Sequence, residues 1–389
     1  MTPAARVQAA IEVLDQILGG KAAEPALIGW ARASRFAGSG DRAAVRDHVF
    51  DALRRRRSAL ARSGLAESGR ALLIGTLGPD AVATLFGNGP HAPAALSDGE
   101  RAALLQADDL PPDPVRLDYP DWLDAPLKAA LGADHAAVMA AQTQRAPVFL
   151  RVNQRRSDRL SVCVGLEADG MECRVREEVP GALEVTKGAN KIKQSQAYLQ
   201  GLVELQDLSS QAAVAALPLK DGMQILDYCA GGGGKTLAMA SRVTGQFLAH
   251  DASAARMADL PARAARAGCA VRLMRKAELR VGGHDLVLVD APCSGSGTWR
   301  RTPDAKWRLS PDRLAELCAL QADILDEAAA FVRPGGLLAF MTCSLLRAEN
   351  EDQTDAFLTR HPRASLTDAR RFSPLTGGDG FYMAVLRLS

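Results

Sequence analysis

No apolar run in this sequence approaches the roughly 18 residues that a membrane-spanning helix needs, so no transmembrane segment is expected. The opening residues, Met1 to Gln16, carry Glu12 and Asp15 where a secretory leader would need an apolar centre, so no leader is expected either. The 7 cysteines are scattered without one Cys-x-x-Cys pair, which leaves a zinc site or a thioredoxin-like motif without support. Free thiols in a reducing cytoplasm are the expectation. Charge of one sign is missing too. Lys and Arg number 47 against 45 Asp and Glu, a net charge of +2, so any nucleic-acid site must come from local clustering of cations. There is no internal repeat.

What is present is 389 residues, 47% hydrophobic and 24% charged. That is a soluble globular composition in a chain long enough for two or three domains. The texture divides it into 1–140, 141–205 and 206–389. The first part reads as helices. Val7, Ile11, Leu14, Ile17 and Leu18 recur at helical spacing before Gly19-Gly20. Val45, Val49 and Leu53 mark a second helix that ends in Arg54 to Arg57. Ser97 is a candidate helix cap. Residues 101–140 hold 3 basic and 7 acidic side chains, a poor surface for phosphate. The second part starts with strand-like runs, Val148 to Asn153 and Ser161 to Leu166. Arginines 145, 151, 155, 156 and 159 gather there against the single Asp158, as an RNA-binding module would require. The third part alternates short apolar strands with helices, the pattern of a parallel sheet covered on both faces, and its last run, Phe381 to Leu388, reads as a strand at or near the edge.

Four motifs carry chemistry. In the first, the strand ending Leu226-Asp227-Tyr228 runs into Cys229-Ala230-Gly231-Gly232-Gly233-Gly234-Lys235-Thr236 and a helix. Glycines there allow close backbone approach, and a helix N-terminus presents unpaired N–H groups. A P-loop would need glycine where Cys229 stands, although Leu286 to Asp290 could imitate a Walker B strand. A dinucleotide fingerprint fails because its last glycine falls on Thr236 or Leu237. S-adenosylmethionine, which has no phosphate chain, remains. In the second, Asp251 lies 20 residues beyond Gly231 at the end of the next strand; it could take both ribose hydroxyls or cap the following helix.

The third motif is Asp290-Ala291-Pro292-Cys293 with flexible glycines after it, at the carboxyl end of a buried strand. Behind it, Trp299 to Arg308 interleaves four cations with two tryptophans, which suits phosphate contacts and base stacking; a basic loop with one packed Trp is the plainer reading. The fourth is Met341-Thr342-Cys343-Ser344. A cysteine there is by default a small buried hydrophobe, yet Cys293 and Cys343 both end strands on the ligand side of the sheet. Carbon-5 of cytosine is a poor nucleophile. A thiolate added at carbon-6 makes it enamine-like, and a carboxylic acid at ring nitrogen 3 stabilises the developing charge.

These motifs, with Leu205 to Gln211 and Glu349 to Gln353, resemble the Fmu/Sun/RsmB-type RNA (cytosine-5)-methyltransferase family. The resemblance implies an α/β fold: a Rossmann-like S-adenosylmethionine-dependent methyltransferase domain, preceded by a small α/β module and an all-α NusB-like RNA-binding domain. It implies Cys343 as nucleophile and Cys293 in release of the covalent intermediate. Asp290 would contact the cytosine, the cofactor or both, with Lys235 in the same network. Cys229, Ala230, Gly231, Gly232, Gly233, Gly234, Lys235, Asp251 and Asp290 would hold S-adenosylmethionine. The implied partner is RNA, with ribosomal RNA favoured over transfer RNA by the NusB-like signal. No metal, no membrane, a monomer and a cytoplasmic location complete the expectation. Two positions depart from the family pattern. Gly232 replaces a proline, and Arg275-Lys276-Ala277-Glu278 lacks the usual aspartate near the adenine, so either Glu278 substitutes or the adenine is held otherwise. An RNA-stimulated NTPase is the alternative from another class.

Overall fold

The computed structural model describes residues 1–104 and 112–389. Residues 105–111, part of the acidic stretch, lie outside the described residues. Two compact units result: residues 1–145 with 299–309, and residues 146–298 with 310–389. This cuts the chain differently from a 1–140, 141–205, 206–389 division, because the second unit holds both sheets and gives one internal segment to the helices.

The first unit is helical. Thr2 caps the helix Pro3–Leu18 by accepting from Ala5 N at 3.1 Å, and Val7, Ile11 and Leu14 are buried on one face as their spacing predicts. Val45, Val49 and Leu53 of the helix Ser39–Arg54 are buried in the same core. Ser97 does cap: its hydroxyl accepts from Glu100 N at 3.2 Å while Glu100 accepts from Ser97 N at 2.8 Å.

The second unit contains two sheets. Strands β1 (Val148–Val152), β2 (Glu172–Val175), β3 (Ala182–Lys187) and β4 (Val203–Leu205) form an antiparallel sheet in the order β2-β3-β1-β4. The run Ser161 to Leu166, read as a strand from its sequence, is instead within the helix Arg159–Ala168. Asp158 caps it by accepting from Leu160 N and Ser161 N, and Val162 and Leu166 face the core four residues apart. The packing of that helix on β2 brings Cys163 and Cys173 together, with Cα atoms 6.1 Å apart. Ten residues of separation suffice, because the chain doubles back between helix and strand.

The larger sheet adds β5 (Met223–Asp227), β6 (Gly245–Ala249), β7 (Val271–Leu273), β8 (His284–Asp290), β9 (Val332–Thr342), β10 (Ala364–Phe372) and β11 (Phe381–Leu388), in the order β10-β11-β9-β8-β5-β6-β7. The pairs β5–β6, β5–β8, β6–β7 and β8–β9 are parallel; β11 is antiparallel to both its neighbours. Leu286, Val287, Leu288 and Val289 of β8 are fully buried, which requires cover on both faces; each contributes about 1.5–3 kcal/mol by leaving water. Strand order reverses between β5 and β8. At such a point the loops leaving the carboxyl ends part and open a crevice. The glycine loop follows β5, Asp251 follows β6, and the two cysteine loops follow β8 and β9. Among the described residues, no helix is long and apolar enough to cross a membrane.

Candidate active site

The glycine loop begins where β5 ends. Gly231 and Gly233 have φ of +48° and +76°, and a Cβ on Gly233 would stand 2.1 Å from Leu260 Cδ1. Only glycine permits both the left-handed turn and that approach. The loop's N–H groups, expected to face a ligand, are partly turned inward by this curl. Ala230 N donates to His250 O and Gly233 N to Ala230 O, both at 2.8 Å, and Gly231 N donates to Asp251 Oδ2 at 2.9 Å. At Gly232, where proline would stiffen the chain, the guanidinium of Arg263 donates to the carbonyl oxygen instead.

Asp251 is buried, and its second oxygen accepts from Ser253 N at 2.9 Å. It therefore closes an Asx turn rather than capping the following helical turn, whose N-cap is Ser253, while also facing a cleft of about 610 Å³ beside the glycine loop. Cys229, Met257, Met274, Pro292 and Ile324 supply an apolar wall. Glu278 does not line this cleft. Its carboxylate accepts from Arg275 N and Arg275 Nε, both at 2.9 Å, so it closes its own turn. Burial drives the Cys229 thiol upward, so it presents an uncharged surface.

Lys235 Nζ lies 2.5 Å from Asp290 Oδ2 and 5.0 Å from the centre of the Phe381 ring. Burial alone would favour the neutral amine, but Asp290, Cys343 and Asp227 outweigh it and the ammonium is held above its usual range. Cys293 and Cys343 meet with sulfurs 3.3 Å apart, and both are partly exposed. The Cys293 thiol is pushed well up, first by its hydrogen bond to Cys343, then by burial and by the charges of Cys343 and Glu349. Cys293 is thus the harder of the two groups to ionise in this surrounding. The structure thus assembles two pairs, Lys235–Asp290 and Cys293–Cys343, and separately Cys229 with Asp251 in the cleft. Pro292, one residue before Cys293, forms the edge of that cleft.

Sequence reasoning passed over Asp227. Its Oδ2 accepts from Thr236 Oγ1 at 2.6 Å, and no protein partner reaches Oδ1, which is buried. Burial pushes this carboxyl up to about 7. Its place just before the glycine loop was the available signal.

The cation clusters behave differently from their sequence reading. Trp299 is fully buried, and so is Lys306, whose Nζ donates to Arg54 O at 3.3 Å. Trp307 Nε1 donates to Leu53 O at 2.7 Å, and Arg54 Nε to Arg300 O at 2.6 Å. This segment is part of the helical core rather than a platform for bases. Arg57 donates to Tyr119 O and Asp121, and Arg56 to Glu67, so the run Arg54 to Arg57 also serves the fold. In the other unit, Arg151 is buried against Gln206 and Ser241, and Arg156 donates to Gln200 O and Arg266 O. Among the described residues, no group of three or more His, Cys, Asp or Glu is placed to hold a metal ion.

Comparison with known proteins places the chain in a family. A family model described as 16S rRNA methyltransferase RsmB/F matches residues 214–387. A second, described as the ferredoxin-like domain of RsmF/B-like methyltransferases, matches residues 119–191. The ribosomal RNA small subunit methyltransferase B of Erwinia tasmaniensis is 35% identical over 289 residues, 69% of this chain and 66% of that protein. Its counterpart in Salmonella arizonae is 33% identical over 293 residues, 70% and 67% of the two chains. The chain thus aligns with about two thirds of the length of these relatives. Among solved structures, the crystal structure of PH0851 superposes with a TM-score of 0.75 over 99% of both chains at 24% identity, a likeness of fold. A methyltransferase homolog protein from Pyrococcus horikoshii gives 0.63 over 72% of this chain and 100% of that one, at 25% identity.

Proposed function

The chain belongs to the RsmB/F methyltransferase family, and on that premise we propose that it transfers the methyl group of S-adenosylmethionine to carbon-5 of a cytosine in small-subunit ribosomal RNA. The observation that carries this reading is the convergence of Cys293, Cys343, Lys235 and Asp290 at the carboxyl ends of β8, β9 and β5.

The cleft suits the cofactor. Its apolar wall matches a flat adenine, and Asp251 stands where ribose hydroxyls can donate to it. Since Glu278 is turned away, the adenine is held by the methionine and isoleucine wall rather than by a substitute carboxylate. Bound there, S-adenosylmethionine supplies an electrophilic methyl group.

The chain's own residues do the rest. Cys343, its sulfur beside that of Cys293, adds through that sulfur to carbon-6 of the ring. The ring's electron pair moves to carbon-5, which becomes nucleophilic and takes the methyl group, whose bond to the sulfonium sulfur breaks with both electrons staying on that sulfur. Asp290 contacts the ring, and the Lys235 ammonium paired with it offsets the negative charge that develops at nitrogen 3. A water molecule then takes the carbon-5 proton, the freed electron pair re-forms the carbon-5–carbon-6 double bond, Cys343 leaves carbon-6 as a thiolate, and Cys293 assists that release. An NTPase reading fares poorly. The Thr236 hydroxyl is buried and committed to Asp227, and Lys235 is committed to Asp290, so neither is placed for Mg²⁺ or phosphate.

Bisulfite sequencing of ribosomal and transfer RNA from a strain lacking the gene tests this reading. One cytosine of 16S rRNA is expected to lose its protection and regain it on complementation. Loss confined to transfer RNA would reassign the substrate, and no loss in either would reject the activity.

A further inference from the structure

Beneath the two cysteines lies a carboxylate that the reaction scheme does not use. Glu349, at the end of the short turn Arg347–Glu349, has no exposed surface. A carboxylate that deep is costly unless its lone pairs are filled, and here four donors fill them. Ser294 N at 2.7 Å and Gln321 Nε2 at 3.2 Å donate to Oε1. The hydroxyls of Ser294 and Ser344, each at 2.5 Å, donate to Oε2. Ser294 follows Cys293 and Ser344 follows Cys343, so one side chain grips the residue next to each sulfur.

The grip is reinforced around it. Gly297 N donates to Cys343 O at 2.9 Å, and Leu345 N to Ser296 Oγ at 2.8 Å. Asn350 Nδ2 donates to Ser344 O at 3.0 Å while Thr342 Oγ1 donates to Asn350 Oδ1 at 2.5 Å. Gln321, on the helix Pro311–Ala329, also donates to Pro292 O at 2.8 Å, which ties the base of the Cys293 loop to the same carboxylate.

We propose that Glu349 is a positioning residue for the two-cysteine reaction: it clamps the loops after β8 and β9 at one spacing and, taking two hydrogen bonds from Ser294 against one from Ser344, binds its carboxylate more closely to the Cys293 loop, so that Cys343 is the sulfur that attacks. The inference rests on the proposed methyl transfer for its purpose but not for its geometry. The charged and titratable groups facing the sulfurs are Lys235 on the helix Gly234–Ala240, Asp290 at the end of β8, and Glu349 itself. Glu349 disfavours a thiolate at Cys293, whereas the Lys235 ammonium lies within electrostatic reach of Cys343. A negative charge on one side and a positive one on the other distinguish two otherwise similar thiols.

The test is site-resolved alkylation with iodoacetamide, read by peptide mass spectrometry on the full chain across pH 6 to 10, with no RNA present. In the unaltered protein, Cys343 is expected to react faster than Cys293 throughout the lower half of that range. In Glu349→Gln, which keeps the shape and removes the charge, the ratio of the two rates is expected to fall about tenfold, with the Cys293 profile moving to lower pH. A merely structural staple would change the melting temperature but not the separation of the two pH profiles. Equal rates for the two cysteines in the unaltered protein, or an unchanged ratio in a folded Glu349→Gln, would overturn the proposal. If the variant does not fold, the profile of the unaltered protein decides alone. Failure of methylation with a preserved alkylation ratio would instead count against the methyltransferase reading.

Discussion

Residues 290–297 and residues 299–309 are neighbours in sequence and both polar, yet the structure uses them in opposite ways. In the first, the polar groups converge: Asp290 meets Lys235, Cys293 meets Cys343, and Ser294 meets Glu349. In the second, side chains suited to nucleic acid are consumed by the fold, with Trp299 and Lys306 buried and Trp307 bonded to Leu53 O. Composition does not separate the two cases. What separates them is the setting: chemistry needs groups brought together at the end of a strand with a surface left open, whereas a core draws side chains away from solvent for their packing.

The sharpest way to break this comparison is to remove one side chain from each half. Cys343→Ala is expected to lower methyl transfer by about 10⁴-fold or more while S-adenosylmethionine affinity, measured by calorimetry, stays within about twofold. Comparable turnover in that variant would end the covalent account. Trp299→Ala is expected to behave in reverse. It should cost about 3–5 kcal/mol in urea denaturation of the full chain, as a large buried aromatic does, and leave cofactor affinity intact. A stable Trp299→Ala protein with impaired RNA binding would restore the stacking role read from the sequence.

A smaller effect tests burial in the second half directly. Lys306 is pulled down to about 8 from 10.5, chiefly by burial and despite Asp118. A folded-state value below the unfolded one means that the protonated form disfavours folding. The cost is fully present below pH 8 and disappears as pH rises toward 10.5. Protection of residues 299–309 against hydrogen exchange, corrected for intrinsic rates, should therefore increase over that window by an amount on the order of 3 kcal/mol. The increase should be absent in Lys306→Met. Protection that falls with pH in the unaltered protein alone would contradict the burial of this ammonium.

How much of this was legible in the sequence follows from the same distinction. The alternating strands of 223–290 and the glycine loop were legible because backbone requirements select residue types at fixed spacing. Gly231 and Gly233 are demanded by their left-handed φ, and β8 by burial on both faces. The cysteine pair was legible once both sulfurs were seen to end strands. Ser161 to Leu166 was misread because a short apolar run fits strand and helix alike, and the cap at Asp158 decides. Glu349 stayed hidden because donors such as Ser294 and Gln321 lie far along the chain, whereas Asp227 was passed over beside its own partner, Thr236. Ser294 is 55 residues from Glu349, and no local pattern records that contact. The arginines at 151 and 156 misled for the same reason, since the carbonyls and side chains that take their donors belong to distant segments.

The central claim is that Cys343 forms a bond with cytosine and Cys293 helps to break it. The most direct measurement is a denaturing gel of the Cys293→Ala protein incubated with ribosomal RNA and S-adenosylmethionine. The account predicts a slow-migrating protein–RNA adduct that vanishes when Cys343→Ala is added to the same chain. No adduct, or one that survives the loss of Cys343, would contradict it.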